Sequence, residues 1–199
     1  MIAALGAAIS LVGVVTGLAW RLPAVGSIDR HLFSSINHGR TRRWLDGPLA
    51  VIRLLGTHWA LLAISVWVVV WWPAAGVALV IATGISASLE RVLKVRVGRQ
   101  RPYETMPEVQ LRQVPPPGDP SFPSGDAARA WFLAAALSFG MRIPPAAACL
   151  ALLLALLVAV ARVRAGVHFP TDVWAGSWLG LGIGLVWVGL LPVLVAIRL

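Results

Sequence analysis

The chain has 199 residues, of which 58% are hydrophobic and only 13% charged, and its mean hydropathy is +0.81. That balance excludes an ordinary soluble domain and indicates a polytopic membrane protein. The formal net charge is +9, but the basic residues gather at the ends of apolar runs. This favours lipid headgroups or anionic substrates as partners and argues against nucleic acid.

Residues 1–20 form the first candidate span, with small residues throughout and no basic segment before it, so a retained helix is expected rather than a cleaved signal. Residues 21–48 are polar and basic. Within them Leu32, Phe33 and Ile36 recur at helical spacing and predict a short amphipathic interfacial helix. His31 and His38 lack partners at metal-ligand spacing and read as surface residues. Residues 55–72 form the second span, with Trp67, Trp71 and Trp72 marking an interface, and Pro73 turns the chain into a third span over 74–93. The main polar segment, 94–123, holds Lys94, Arg96, Arg99 and Arg101, and Glu90 is placed to pair with Lys94 four residues on. Its run Pro115-Pro116-Pro117-Gly118 cannot be helical. Residues 127–140 form a short fourth span that Ser124 would start, and 144–161 form the fifth. The basic loop 162–172 precedes a sixth span over 173–197, where Gly176, Gly180, Gly182 and Gly184 allow close helix packing. Cys149 is the lone cysteine and lies in an apolar run, where a buried structural thiol is the default.

The expected fold is therefore all-α: a single membrane-embedded domain over 1–199 with six transmembrane helices. Six spans place the polar loops 21–48, 94–123 and 162–172 on one membrane face. The basic residues of that face are Arg21, Arg30, Arg40, Arg42, Arg43, Lys94, Arg96, Arg99, Arg101, Arg112, Arg162 and Arg164, against Arg142 and Arg198 opposite. Removing Lys94, Arg101 and Arg162 as candidate site residues leaves the excess standing. The positive-inside rule then puts this face in the cytoplasm of a multi-pass cell-membrane protein.

The same face gathers every candidate for chemistry. Ser124 is placed as an N-cap, and Gly125 behind it lets another group approach the backbone at a helix end that favours an anion. Three motifs occur in order. Lys94 is followed after six residues by Arg101-Pro102. Next comes Pro123-Ser124-Gly125-Asp126. Last, Ala161-Arg162 is followed after five residues by His168, and after three more by Asp172. This pattern resembles the type 2 phosphatidic acid phosphatase superfamily of integral membrane lipid phosphatases.

The resemblance implies phosphate binding by Lys94, Arg101, Ser124, Gly125 and Arg162, and the residue chemistry agrees. Arginine grips phosphate bidentately, lysine adds a point charge, and a helix end adds N–H donors. It also implies His168 as the nucleophile that forms a phosphohistidine, Asp172 as the group holding the imidazole tautomer, and no metal or other cofactor. Two positions depart from the family pattern. Ala161 replaces a serine, and Asp126 replaces the histidine expected to protonate the leaving group. Asp126 has two readings: a catalytic acid, protonated because a phosphate dianion repels a carboxylate, or an ionised partner of Arg129.

The implied function is metal-independent hydrolysis of a lipid phosphate or diphosphate: polyprenyl diphosphate, a polyprenyl-phosphosugar phosphate, phosphatidylglycerophosphate or phosphatidate. The alternatives are a lipid phosphotransferase and a catalytically weak lipid-binding member. A transporter is disfavoured because the charges sit at helix ends rather than at mid-membrane.

Overall fold

The computed structural model describes residues 1–39, 44–141 and 143–196, with side chains described as far as 193. Arg40, Arg42, Arg43, Arg142 and Arg198, all used in the charge comparison above, lie outside the described residues. The described residues form helices joined by loops, with no strand. The helices are α1 (Ile2–Gly17), α2 (Pro23–Asn37), α3 (Asp46–Ile52), α4 (His58–Trp71), α5 (Pro73–Val97), α6 (Pro102–Thr105), α7 (Gly125–Ala135), α8 (Pro145–Arg164) and α9 (Pro170–Ala196).

Four helical segments are long and apolar enough to cross a membrane: Ile2–Arg21, Pro73–Thr105, Pro145–Arg164 and Pro170–Val193. The expected second span is instead a broken pair, Asp46–Gly56 and His58–Trp71, bent by 52°. The break falls where Thr57 leaves the helical region and caps α4, its hydroxyl accepting from the Ala60 N–H. The expected fourth span is also short. It is the 11 residues of α7 followed by a five-residue π turn, Ala136–Gly140. Nine residues of α7 are buried, including Phe132 and Leu133. A helix wrapped by protein need not match the bilayer thickness, because its surroundings are side chains and not lipid. The described residues thus hold up to five spans, one fewer than expected.

α9 is the axis of the bundle and packs on α1, α5, α7 and α8. Its glycines allow this. A Cβ on Gly176 would strike the Ser124 carbonyl, one on Gly180 the Ala128 carbonyl, and one on Gly184 the Ala135 side chain, all on α7 or its N-cap. Gly182 faces α1 in the same way, against Gly6 and Ser10. The main core joins Leu61 and Val68 of α4, Leu79 of α5, Phe132 of α7, and Leu179 and Trp187 of α9. Outside it, Leu11 and Val15 of α1, Ile81 and Ile85 of α5, and Leu150 and Leu153 of α8 are exposed, as a lipid-facing surface requires. Cys149 is exposed on α8 rather than buried. In a lipid-facing helix an apolar run has no inside, so hydrophobicity alone does not predict burial.

α2 is amphipathic as expected, but its buried stripe is Gly26, Asp29, Phe33 and Asn37, while Leu32 is exposed. Phe33 packs on Phe169 with ring centroids 5.4 Å apart. Asn37 donates to the Arg164 and Gln110 carbonyls and accepts from the Gln110 N–H. The polar half of this stripe ties α2 to the loops around the site.

Candidate active site

Lys94 and Arg101 flank the end of α5. Gly98, in the left-handed region at φ 60°, stops that helix and turns the chain back, which swings Arg99 and Arg101 toward the bundle axis. Arg162 lies in the last turn of α8. Ser124, Gly125 and Asp126 form the start of α7, and His168 and Asp172 flank the start of α9. Helix ends from four segments therefore meet. Lys94, Arg101, Gly125, Asp126, Arg162 and His168 line one cavity of about 310 Å³. Its wall holds five cations, the other two being Arg53 and Arg129, against three carboxylates, Glu90, Asp119 and Asp126. The excess of positive charge matches a phosphate dianion.

The geometry around His168 fixes its chemistry. The side chain is buried, and its Nε2 lies 3.3 Å from Arg101 Nη1. A guanidinium can only donate, so Nε2 carries the lone pair and the neutral ring holds its proton on Nδ1. Burial, with Arg101, Arg162 and Lys94 nearby, holds the imidazole well below its ordinary pKa and keeps it neutral at pH 7. Nδ1 faces Asp172 Oδ2 at 3.8 Å, too long for a hydrogen bond, and has no other partner.

Asp172 is fully buried and held from several sides. Oδ2 accepts from the Phe169 N–H at 2.8 Å and from the Ser121 hydroxyl, and Oδ1 pairs with Arg99 Nη1 at 2.6 Å. The first of these bonds also caps α9. The Arg99 guanidinium is sandwiched between the rings of Trp20 and Phe169, 4.3 and 4.2 Å from their centroids, and pairs with Asp29 at 2.6 Å. Asp29 in turn accepts from the Thr171 N–H and hydroxyl. Removing Arg99 would strand two buried carboxylates, a change that typically costs about 3–5 kcal/mol. Arg99→Ala should therefore lower the melting temperature of the purified protein clearly, while Arg96→Ala, at the end of α5, serves as a control expected to leave it nearly unchanged.

The cationic phosphate-binding candidates, Lys94, Arg101 and Arg162, are all engaged. Arg162 donates to Gln113 Oε1 at 2.5 Å and lies 2.9 Å from Asp126 Oδ2. Asp126 Oδ1 accepts from Arg129 Nη2 at 2.6 Å, and Arg129 also reaches Glu90 at 2.8 Å and the Gly56 carbonyl. Lys94 lies 3.7 Å from Glu90, so the expected pairing forms, but its shorter contacts are to Asp119 Oδ2 at 2.8 Å and the Pro120 carbonyl at 2.9 Å. Arg101 donates to the Asp119 carboxylate and carbonyl, both at 2.7 Å, and to the Val167 carbonyl at 2.8 Å. Ser124 is at the N-cap of α7, but its hydroxyl makes no cap bond and is buried without a partner. The group that approaches Gly125 closely is the Glu90 carboxylate, which a Cβ would strike.

Sequence spacing missed Asp29, Arg99, Gln113, Asp119 and Ser121 as members of this cluster. The available signal was chemical: Asp29 is an acid in a basic segment, and Arg99 lies inside the interval between Lys94 and Arg101.

The chain is similar to the crystal structure of LpxE from Aquifex aeolicus, with 30% identity, a TM-score of 0.71, and 80% of this chain and 93% of that one covered. It is also similar to the transmembrane PAP2-type phosphatidylglycerolphosphate phosphatase from Bacillus subtilis, with 26% identity, a TM-score of 0.77, and 92% and 94% covered. No match was found among curated proteins. The sequence model of the PAP2 superfamily matches residues 75–194, a stretch that contains all eight candidate site residues, and the chain belongs to that superfamily.

Proposed function

We propose that this protein is a membrane phosphatase of one domain over residues 1–199, which removes phosphate from a lipid phosphate or lipid diphosphate through a phosphohistidine. The supporting observation is the meeting of Lys94, Arg101 and Arg162 with a neutral His168, whose lone pair is on Nε2, in one cavity. In the first step Nε2 attacks phosphorus, and the bond from phosphorus to the lipid-side oxygen breaks with its electron pair leaving on that oxygen. The guanidiniums and Lys94 stabilise the charge on the transferring group. The ring becomes cationic and keeps its Nδ1 proton, which the buried Asp172 carboxylate stabilises. In the second step water attacks phosphorus, the P–N bond breaks, its electron pair returns to Nε2, and the water's proton leaves on the phosphate product.

A carboxylate gripped by Arg129 and Arg162 is held in its ionised form, so Asp126 is poorly placed to act as an acid. We therefore favour a diphosphate substrate, whose leaving group needs no proton. One of the two relatives named above is a phosphatidylglycerolphosphate phosphatase, which supports hydrolysis over transfer to a second acceptor.

The test is phosphate release from a panel of lipid monophosphates and diphosphates with and without a chelator, using His168→Ala as the control. Turnover that persists in chelator supports the reading. Release that needs added metal, or none from any lipid, contradicts it.

We also propose that the site faces the cytoplasm, on the charge asymmetry described above. In a Cys149→Ala background, cysteine at the highly exposed Val114 should resist a membrane-impermeant thiol reagent applied to intact cells, and cysteine at Ile143 should react. The opposite pattern places the site outside.

A further inference from the structure

The Asp119 carboxylate bridges the two cations best placed to take a phosphate. One oxygen is 2.8 Å from Lys94 Nζ and the other 2.7 Å from Arg101 Nη2. These are the contacts two phosphate oxygens would make. We infer that Asp119 is an internal competitor for the phosphate site, which the substrate phosphate must displace and which closes again to expel the inorganic phosphate product. The inference rests on reading the cavity as a phosphate cradle, and assigns to Asp119 the control of how tightly anions are held there.

Three features separate Asp119 from the other carboxylates of the cavity. First, its side chain is 53% exposed, whereas those of Lys94 and Arg101 are 7% and 2% exposed. The carboxylate can turn into water, but the cations cannot follow it. Ion pairs open to solvent are weak and readily exchanged. Second, it sits on a loop, directly after Pro115-Pro116-Pro117-Gly118, whereas Glu90 and Asp126 are carried by helices and gripped by the buried Arg129. Third, the main chain around it is pinned independently. The Asp119 carbonyl accepts from Arg101 Nε, the Pro120 carbonyl from Lys94, and the Ser121 N–H donates to the Arg99 carbonyl. Opening the site therefore requires only a side-chain rotation and leaves the cradle in place.

The group is a carboxylate at every relevant pH. Partial burial raises its pKa, but the hydrogen bond and charge of Lys94 and the charge of Arg101 outweigh this and bring it to about 2. The competition is thus always present, and only a stronger anion relieves it. With Asp119 turned out, the cavity wall keeps five cations against two carboxylates, an excess suited to a diphosphate.

Affinity for an anion falls in proportion to the fraction of molecules whose site is open, so a site closed nine-tenths of the time binds about tenfold more weakly than an open one. The experiment is a titration of detergent-purified wild type, Asp119→Asn and Asp119→Ser with inorganic phosphate, followed by calorimetry and by product inhibition, with melting curves to check folding. Both variants should bind phosphate about tenfold more tightly, and both should lower KM without raising kcat, because product leaves more slowly. Unchanged or weaker phosphate binding in folded variants overturns the inference, and retained turnover in those variants leaves the phosphatase reading intact. Absence of phosphate binding in wild type and variants alike, together with absence of turnover, overturns both. Failure of both variants to fold would make Asp119 a structural tie, and would also overturn it.

Discussion

Replacing His168 by alanine should reduce phosphate release by at least about a thousandfold while leaving the fold intact, since removal of a nucleophile takes away the covalent route entirely. The expectation follows from the ring's surroundings. Nε2 has its lone pair directed at the Arg101 guanidinium in a cavity that Lys94 and Arg162 also line, and the ring carries no structural hydrogen bond through Nδ1. Its removal therefore breaks no buried network, unlike removal of Arg99. Steady-state rates and a melting curve on the same preparation check both halves of the prediction. Near-wild-type turnover would show that His168 is not the nucleophile.

The second large effect concerns the leaving group. An alkoxide has a conjugate acid near water's pKa of about 15.7, so expelling it without an acid is slow. A lipid monophosphate leaving from a diphosphate has a pKa of about 6 and needs no such help. Asp126 is held by Arg129 at 2.6 Å and by Arg162 at 2.9 Å, so the site supplies a fixed anion where a proton donor is expected. Wild type should therefore prefer a diphosphate to the matched monophosphate. Asp126→His should raise kcat/KM for the monophosphate by about tenfold or more, within the usual worth of a general acid, and should change the diphosphate rate little. Asp126→Asn should be close to wild type on the diphosphate. A wild-type preference for the monophosphate, with Asp126→Asn strongly impaired on it, would make Asp126 the acid after all.

Much of the site was legible because its residues are tied to helix ends. A cation six residues before an Arg-Pro step, a Ser-Gly step opening a helix, and an Arg followed by His and Asp across a short loop are local patterns. The helices that carry them all pack on α9, with α7 seated against its glycines. What closes the site was not legible, because it is long-range. Asp29 reaches Arg99 and Thr171 from α2, Gln113 reaches Arg162 from the proline-rich segment, and Ser121 holds Asp172. No spacing rule links these residues. Nothing in the sequence distinguished Asp119 from a solvated loop acid. Only up to five of the six expected spans are matched by long apolar helices among the described residues, for a related reason. Hydropathy sees α7 and the stretch before Trp72 as lipid-facing runs, but α7 is wrapped by protein and the other is broken at Thr57.

The measurement that bears most directly on the central claim is identification of the phosphorylated residue. Protein mixed with a phosphorus-labelled lipid diphosphate and quenched within one turnover can be digested at alkaline pH and mapped by mass spectrometry. The account predicts an acid-labile, alkali-stable phosphoramidate on the peptide containing His168, absent from His168→Ala. Label on a serine or a carboxylate, or turnover with no labelled protein under single-turnover conditions, would contradict it.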